Sequence, residues 1–279
     1  MVVPVPPGAG LTAPPDWALR RIPGLARGQP ARLVRRLGGG TVNEVFQVVS
    51  EEGAFVLRLD GAAWRRPGVD RVRELTLHRI AADADVAPHV VAADPQQQGL
   101  LVTRFEPGRT WQAGDYDDVR RLHRLGERLA ILHRQPAPPI ARFDPLAVGR
   151  SYVGRLAPPL AAEVGPVMRR LEALCEGLQS TDASTSVVHG DLWEGNLLEG
   201  AQLWLLDWEY AQVTEPLMDI AGLLAYYPVA QRHQTELMAA ADMAPSPPDV
   251  LSDRVDIYRI LGWLWRLARG EQAGLIELR

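Results

Sequence analysis

The segment from Val187 to Tyr210 constrains this chain more than any other. It reads Val-Val-His-Gly-Asp-Leu-Trp-Glu-Gly-Asn-Leu-Leu, a short turn, then Leu-Trp-Leu-Leu-Asp-Trp-Glu-Tyr. Apolar runs on both sides predict a polar loop braced between two apolar strands. Such a loop presents His189, Asp191 and Asn196 together, with Asp207 arriving at the end of the second run. One carboxylate can accept or orient a hydroxyl proton. An amide oxygen and a second carboxylate suit a hard divalent cation set against phosphate oxygens. A buried hairpin with Asp and Asn as plain turn residues accounts for one or two of these positions. It does not account for the full set.

The spacing His-x-Asp-x-x-x-x-Asn, followed by Leu-Leu-Asp, is that of a phosphoryl-transfer loop. On these residues, and on Asp207-Trp208-Glu209-Tyr210, the chain resembles the aminoglycoside phosphotransferase/choline kinase superfamily, and most of all its choline, ethanolamine and thiamine kinase branch. The likeness is densest over 187–222 and softer elsewhere. It implies an α+β, protein-kinase-like two-lobed fold: a small antiparallel β-sheet lobe and a larger, mainly helical lobe sharing a cleft. It also implies ATP and Mg²⁺, with Asp191 as catalytic base and Asn196 and Asp207 as metal ligands. His189 belongs to the catalytic set as the residue that orients the turn, and Asp219 matches an Asp that braces the loop.

The pattern upstream fits the small lobe. Leu33–Leu37, Glu44–Val49, Phe55–Leu59, Val90–Ala93 and Leu100–Phe105 read as strands, and Val69–Ala82 has helical spacing. Gly38-Gly39-Gly40-Thr41-Val42-Asn43 lies between two of these strands. Glycines there let backbone N–H groups approach phosphate oxygens, although the triplet alone would pass for a hairpin turn. The stretch resembles the Gly-Gly-x-x-Asn of choline-kinase-like proteins, which makes Gly38, Gly39, Gly40, Thr41 and Asn43 nucleotide-binding candidates. Arg58 stands on the third strand, where kinases usually carry a phosphate-gripping Lys. Every basic residue of this chain is Arg, and Arg clamps phosphate bidentately. Glu74, on the following helix, is its natural ion-pair partner. Adenine is expected along the backbone of Thr103–Glu106, with Arg104 and Phe105 at its centre.

On the acceptor side, Asp-x-Glu-Tyr is similar to choline and thiamine kinases, so Glu209 and Tyr210 become substrate-binding candidates for a small cation. Trp263 and Trp265 offer more aromatic surface. Residues two apart do not share a helix face, so one of the two, with Trp265 favoured by the resemblance, should face the acceptor. The expected activity is transfer of the ATP γ-phosphate to the hydroxyl of a small cationic alcohol. An aminoglycoside or other sugar phosphotransferase is the alternative. A nucleotide-binding pseudokinase scaffold would be signalled by loss of Asp191 or Asp207, and both are present.

With 279 residues, a net charge of −4 and a pI near 5.9, the chain suits two lobes and disfavours nucleic acid as a partner. Cys175 is the only cysteine, which rules out an internal disulfide and reads as a core residue. No apolar run reaches membrane-spanning length and no leader pattern opens the chain, so the expected compartment is cytoplasmic. The expected organisation is a Pro-rich arm over 1–30 with one helical turn near Trp17–Arg21, a β-rich nucleotide-binding lobe over 31–105, and a helical lobe over 106–279. Pro107-Gly108 marks the crossing. In the helical lobe, helices are expected over Asp117–Arg134, Pro145–Arg155, Pro159–Leu178, Pro216–Tyr227, Val229–Ala241 and Pro248–Arg269. Oligomeric state is left open.

Overall fold

A computed structural model describes residues 13–24, 32–37, 43–61, 69–179 and 185–271. The chain divides at Gly108 into two compact units, the second beginning at Arg109. The candidate residues Gly38, Gly39, Gly40 and Thr41 lie outside the described residues, as do much of the N-terminal arm and Glu277.

The first unit opens with a helical turn, α1 (Asp16–Leu19), then β1 (Arg32–Arg36), β2 (Asn43–Ser50) and β3 (Gly53–Asp60). Helix α2 (Arg71–Asp83), β4 (Val90–Asp94) and β5 (Leu100–Arg104) complete it. The strands form one antiparallel sheet of order β1-β2-β3-β5-β4. Alternation along β3 sends Phe55, Leu57 and Leu59 to one fully buried face, where Phe46 and Val48 of β2 stand opposite Leu57 and Phe55. Ala18 and Ile22 join the same cluster. The helical turn expected near Trp17–Arg21 is thus present, starting one residue earlier. Trp17, Ala18, Leu19 and Ile22 give the turn an apolar face that docks on the sheet. Helix α2 starts two residues later than the hydrophobic pattern suggests because Asp70 caps it, accepting from the backbone N–H of Val72 (2.9 Å) and Arg73 (3.1 Å).

The second unit is mainly helical. A two-residue strand β6 (Arg109–Thr110) and a 3₁₀ turn (Ala113–Asp117) lead into α3 (Val119–His133), α4 (Pro145–Val153), α5 (Pro158–Glu163) and α6 (Gly165–Gln179). The single helix expected over Pro159–Leu178 is broken in two. Pro166 has no N–H to donate to the Ala162 carbonyl, so the hydrogen-bond ladder breaks at Val164 and α6 begins at Gly165, with Pro166 in its first turn. Next come β7 (Ser186–Val188), β8 (Leu197–Glu199), β9 (Leu203–Leu205) and β10 (Gln212–Thr214). Helices α7 (Leu217–Tyr226), α8 (Gln234–Ala240) and α9 (Pro248–Ala268) close the unit, with a 3₁₀ turn at Pro228–His233 standing where the expected Val229–Ala241 helix should begin.

The polar loop is braced between two apolar strands, but those two strands do not pair with each other. β7 pairs with β10, and β8 pairs with β9 and β6, so the loop connects two different small sheets. Among the described residues no helix is long and apolar enough to cross a membrane.

Candidate functional site

Gly190 bends the chain out of β7 at φ +75°, a conformation that favours glycine, and a Cβ there would lie 2.6 Å from the Tyr210 carbonyl oxygen. The next residue is Asp191. Its carbonyl and its Oδ2 both accept from Asn196 Nδ2, each at 3.0 Å. This fixes the amide of Asn196: the nitrogen faces Asp191, and Oδ1 is presented on the opposite side. Asn196 is held in turn by its own backbone, its N–H donating to Trp193 and its carbonyl accepting from Leu206, at 2.9 and 2.8 Å. Asp207 follows Leu206 in the left-handed region, φ +55° and ψ +83°. That is an uncommon backbone for a residue with a side chain, costs of order 1–3 kcal/mol, and collects at functional sites. Asp191, Asn196 and Asp207 thus belong to one hydrogen-bonded loop. Asn196 Oδ1 and the Asp207 carboxylate are oxygen donors of the kind Mg²⁺ prefers, with further positions left to water and phosphate.

His189 is fully buried. Its Nε2 faces the Leu206 carbonyl at 2.8 Å, and a carbonyl only accepts, so Nε2 carries the proton. Nδ1 then accepts from the Asp191 N–H at 3.3 Å. Both ring nitrogens are committed to orienting the loop, and the imidazole packs edge-on against Trp208 with centroids 4.8 Å apart. Burial pushes its pKa down, outweighing the opposite pull of Asp219 and its hydrogen bonds. The folded state therefore keeps His189 neutral where the unfolded chain, with a His pKa of about 6.5, takes up a proton. Stability contributed this way is present above about pH 6.5 and declines as the pH falls below it. We expect the melting temperature to drop between about pH 7 and pH 5, and the drop to flatten in His189→Asn. A slope of the same size in that variant would assign the titration to another group.

Asp219 on α7, 1% exposed, is the brace. Its carboxylate accepts from the backbone N–H of His189 (3.1 Å) and Gly190 (2.8 Å) and from His133 Nε2 (2.8 Å). Burial alone would raise its pKa; His133 and the Gly190 amide more than offset this and hold it below the usual carboxylate range. His133, the last residue of α3, was not singled out from the sequence. It lies 56 residues before His189 and no local pattern marks it.

Two tyrosines grip the loop from its other side. Tyr116 donates to the Leu192 carbonyl at 2.7 Å and stacks on Tyr227, with centroids 3.7 Å apart and planes at 14°; the Tyr227 hydroxyl bonds the Glu194 carboxylate.

The acceptor candidates lie on the 3₁₀ turn Trp208–Tyr210 and on α9. Glu209 is 5% exposed and Tyr210 partly buried. Trp263 and Trp265 are both partly buried on α9, and the Trp265 ring already carries the Arg269 guanidinium 4.5 Å from its centroid. Tyr226, missed in the sequence, is 54% exposed, and its hydroxyl end lies within electrostatic reach of Asp191, Tyr210 and Arg266. It enters through a reciprocal packing of α7 and α9. The Tyr258 ring of α9 lies on Gly222 of α7, and the Tyr226 ring of α7 lies on Gly262 of α9; a Cβ at either glycine would sit 3.1 or 2.7 Å from the facing tyrosine. The repeated four-residue spacing, Gly222 to Tyr226 and Tyr258 to Gly262, was the available signal. Burial, with Asp219, Tyr226 and Asp191 nearby, pushes the Tyr258 hydroxyl well above the usual phenol range.

In the first unit, Arg58 forms a two-pronged ion pair with Glu74, Nη2 to Oε2 at 3.0 Å, both side chains buried. Burial alone would raise the Glu74 pKa, but Arg58 and Arg71 pull it down to about 2. Asn43 is engaged by Arg71 at 3.0 Å. Arg104 donates to the Glu52 carbonyl at 2.8 Å and lies over the Phe55 ring. Its N–H donates to the His89 carbonyl and that of Phe105 to the Ala54 carbonyl, both within the unit.

A model of the phosphotransferase enzyme family matches residues 33–250. No curated protein sequence matches the chain. Among solved structures, it is similar to a choline/ethanolamine kinase family protein from Mesorhizobium loti, with 26% identity, TM-score 0.71, and coverage of 94% of this chain and 88% of that one. It is also similar to the choline kinase LicA from Streptococcus pneumoniae, at 17% identity, TM-score 0.71 and 88% of each chain. LicA in complex with AMP gives TM-score 0.73. A macrolide 2′-phosphotransferase from Brachybacterium faecium matches at 22% identity, TM-score 0.57 and 92% of each chain. The last two proteins bear on the fold alone, which is protein-kinase-like.

Proposed function

The chain belongs to the phosphotransferase enzyme family, and on that premise we propose that it transfers the γ-phosphate of ATP to the hydroxyl of a small cationic alcohol of the choline, ethanolamine or thiamine type. The observation that carries this reading is the Asp191–Asn196 pairing in a loop that also delivers Asp207 in a strained backbone. Asp191 orients the acceptor hydroxyl and takes its proton as the new O–P bond forms and the bond to the departing ADP oxygen breaks. Asn196 and Asp207 hold Mg²⁺, which when bound offsets charge on the phosphates. His189 moves no proton; its two ring nitrogens, one on the Leu206 carbonyl and one on the Asp191 N–H, hold the angle of the loop. Arg58, kept in place by Glu74, is the cation for the nucleotide phosphates.

The cationic acceptor is supported by Glu209 and Tyr210 on the turn that follows Asp207, by the exposed Tyr226 ring, and by the likeness to the Mesorhizobium loti choline/ethanolamine kinase family protein. One observation favours a sugar acceptor instead: Arg269 covers Trp265, and Arg266 lies close to Tyr226, so cations of the chain itself stand beside these rings. The test is steady-state kinetics with ATP–Mg²⁺ and choline, ethanolamine, thiamine and kanamycin in turn. With the cationic alcohol that is turned over, Glu209→Gln should raise the acceptor KM about ten- to a hundredfold and change the KM for ATP far less. An unchanged acceptor KM would shift the assignment to the sugar class.

A further inference from the structure

The first unit holds a buried polar cluster larger than the Arg58–Glu74 pair that the sequence suggests. Arg71, the first residue of α2, points inward, with its side chain 6% exposed. Nη1 donates to Glu74 Oε2 at 2.7 Å, the oxygen that also accepts from Arg58 Nη2. Nη2 reaches both the Asp60 carboxylate and Asn43 Oδ1, the latter at 3.0 Å. Asn43 and Asp60 are cross-strand partners at the end of the β2–β3 ladder. One guanidinium therefore ties both strands to the helix and divides the charge of Glu74 with Arg58. Room for the Asp60 carboxylate comes from Gly99, at φ +56°, where a Cβ would lie 2.2 Å from Asp60 Oδ2. Asn43 also directly follows the Gly38–Val42 stretch.

Arg58 and Arg71 face Glu74 and Asp60, so the buried set is balanced in charge, and what Arg71 adds is geometry: it shares Glu74 Oε2 with Arg58 and so fixes where that carboxylate holds the Arg58 guanidinium. We propose that Arg71 is a positioning residue for the nucleotide: it fixes Glu74 in the place from which that carboxylate holds Arg58, and it anchors Asn43. This rests on the reading of Arg58 as the phosphate cation.

The effect should follow the phosphates and spare the nucleoside. In the full chain, Arg71→Met is expected to weaken ATP–Mg²⁺ binding about tenfold by calorimetry, as lost charge-assisted hydrogen bonds do, while adenosine binding stays within about twofold. Removing Arg71 also strands the Asp60 charge, so the second variant is Asp60→Asn with Arg71→Met, which removes that charge and should recover most of the melting temperature. If this double variant stays folded and keeps the tenfold loss for ATP, Arg71 acts on the phosphates. If ATP affinity returns with the fold, or adenosine and ATP weaken equally, Arg71 only holds the unit together and the proposal fails. A wild-type chain that binds adenosine but gains nothing from the phosphates of ATP defeats the Arg58 reading and this inference together. Wild-type preference for ATP that survives in Arg71→Met defeats the inference alone.

Discussion

Asp191→Asn is expected to lower kcat by about 10²- to 10⁴-fold, the range a positioned proton acceptor supplies. The fold should be undisturbed. Asn196 Nδ2 donates to the Asp191 carbonyl and to Oδ2, and the amide oxygen of an introduced Asn can accept the second of these bonds. What disappears is the charge and the ability to take a proton. ATP–Mg²⁺ affinity should therefore stay within about threefold, since no phosphate contact is assigned to Asp191. The measurement is kcat at saturating ATP and acceptor, alongside a melting curve that overlays the wild type. A variant turning over at near the parent rate would remove Asp191 from the reaction.

Asp219→Ala should produce the largest loss of stability. The carboxylate satisfies two backbone amides and His133 at a site closed to water. Alanine leaves all of them buried without an acceptor, at about 1–3 kcal/mol each before relaxation. We expect about 3–5 kcal/mol in denaturant midpoints, a large part of the 5–15 kcal/mol typical of folded domains. Because the folded Asp219 pKa is depressed, its contribution is full above the unfolded carboxyl value of about 3.9 and vanishes as the pH falls through the folded one. The wild type and Asp219→Ala should accordingly converge in strong acid. A variant within about 1 kcal/mol of the parent at neutral pH would show that the loop stands without its brace.

The polar loop was legible because its chemistry lies within a few residues and the apolar runs on each side leave little freedom. Helices bounded by Asp70, Asp118 or Asp144 were legible within two residues or so, since a side chain that caps is written next to the turn it caps. Other features depend on partners far away in the chain. His133 meets Asp219 across 86 residues, and Arg109–Thr110 is a strand only because Leu198 and Glu199 pair with it. Gln212–Thr214 looks like loop by composition, yet it is buried against β7. Arg71 is one of several arginines near the start of α2, and only the fold turns it inward. Which of Trp265, Trp263 and Tyr226 is exposed was not legible, because it depends on how α7 meets α9.

The reciprocal seating of Tyr258 on Gly222 and Tyr226 on Gly262 is unequal in what it tolerates. A methyl group at Gly222 has to be met by a shift of a few tenths of an ångström in the buried Tyr258 ring, whereas one at Gly262 meets the hydroxyl end of Tyr226, which is 54% exposed and has solvent to swing into. Of the two glycines, Gly262 is thus the one at which a substitution re-aims an exposed tyrosine while the buried contact between the helices is left in place.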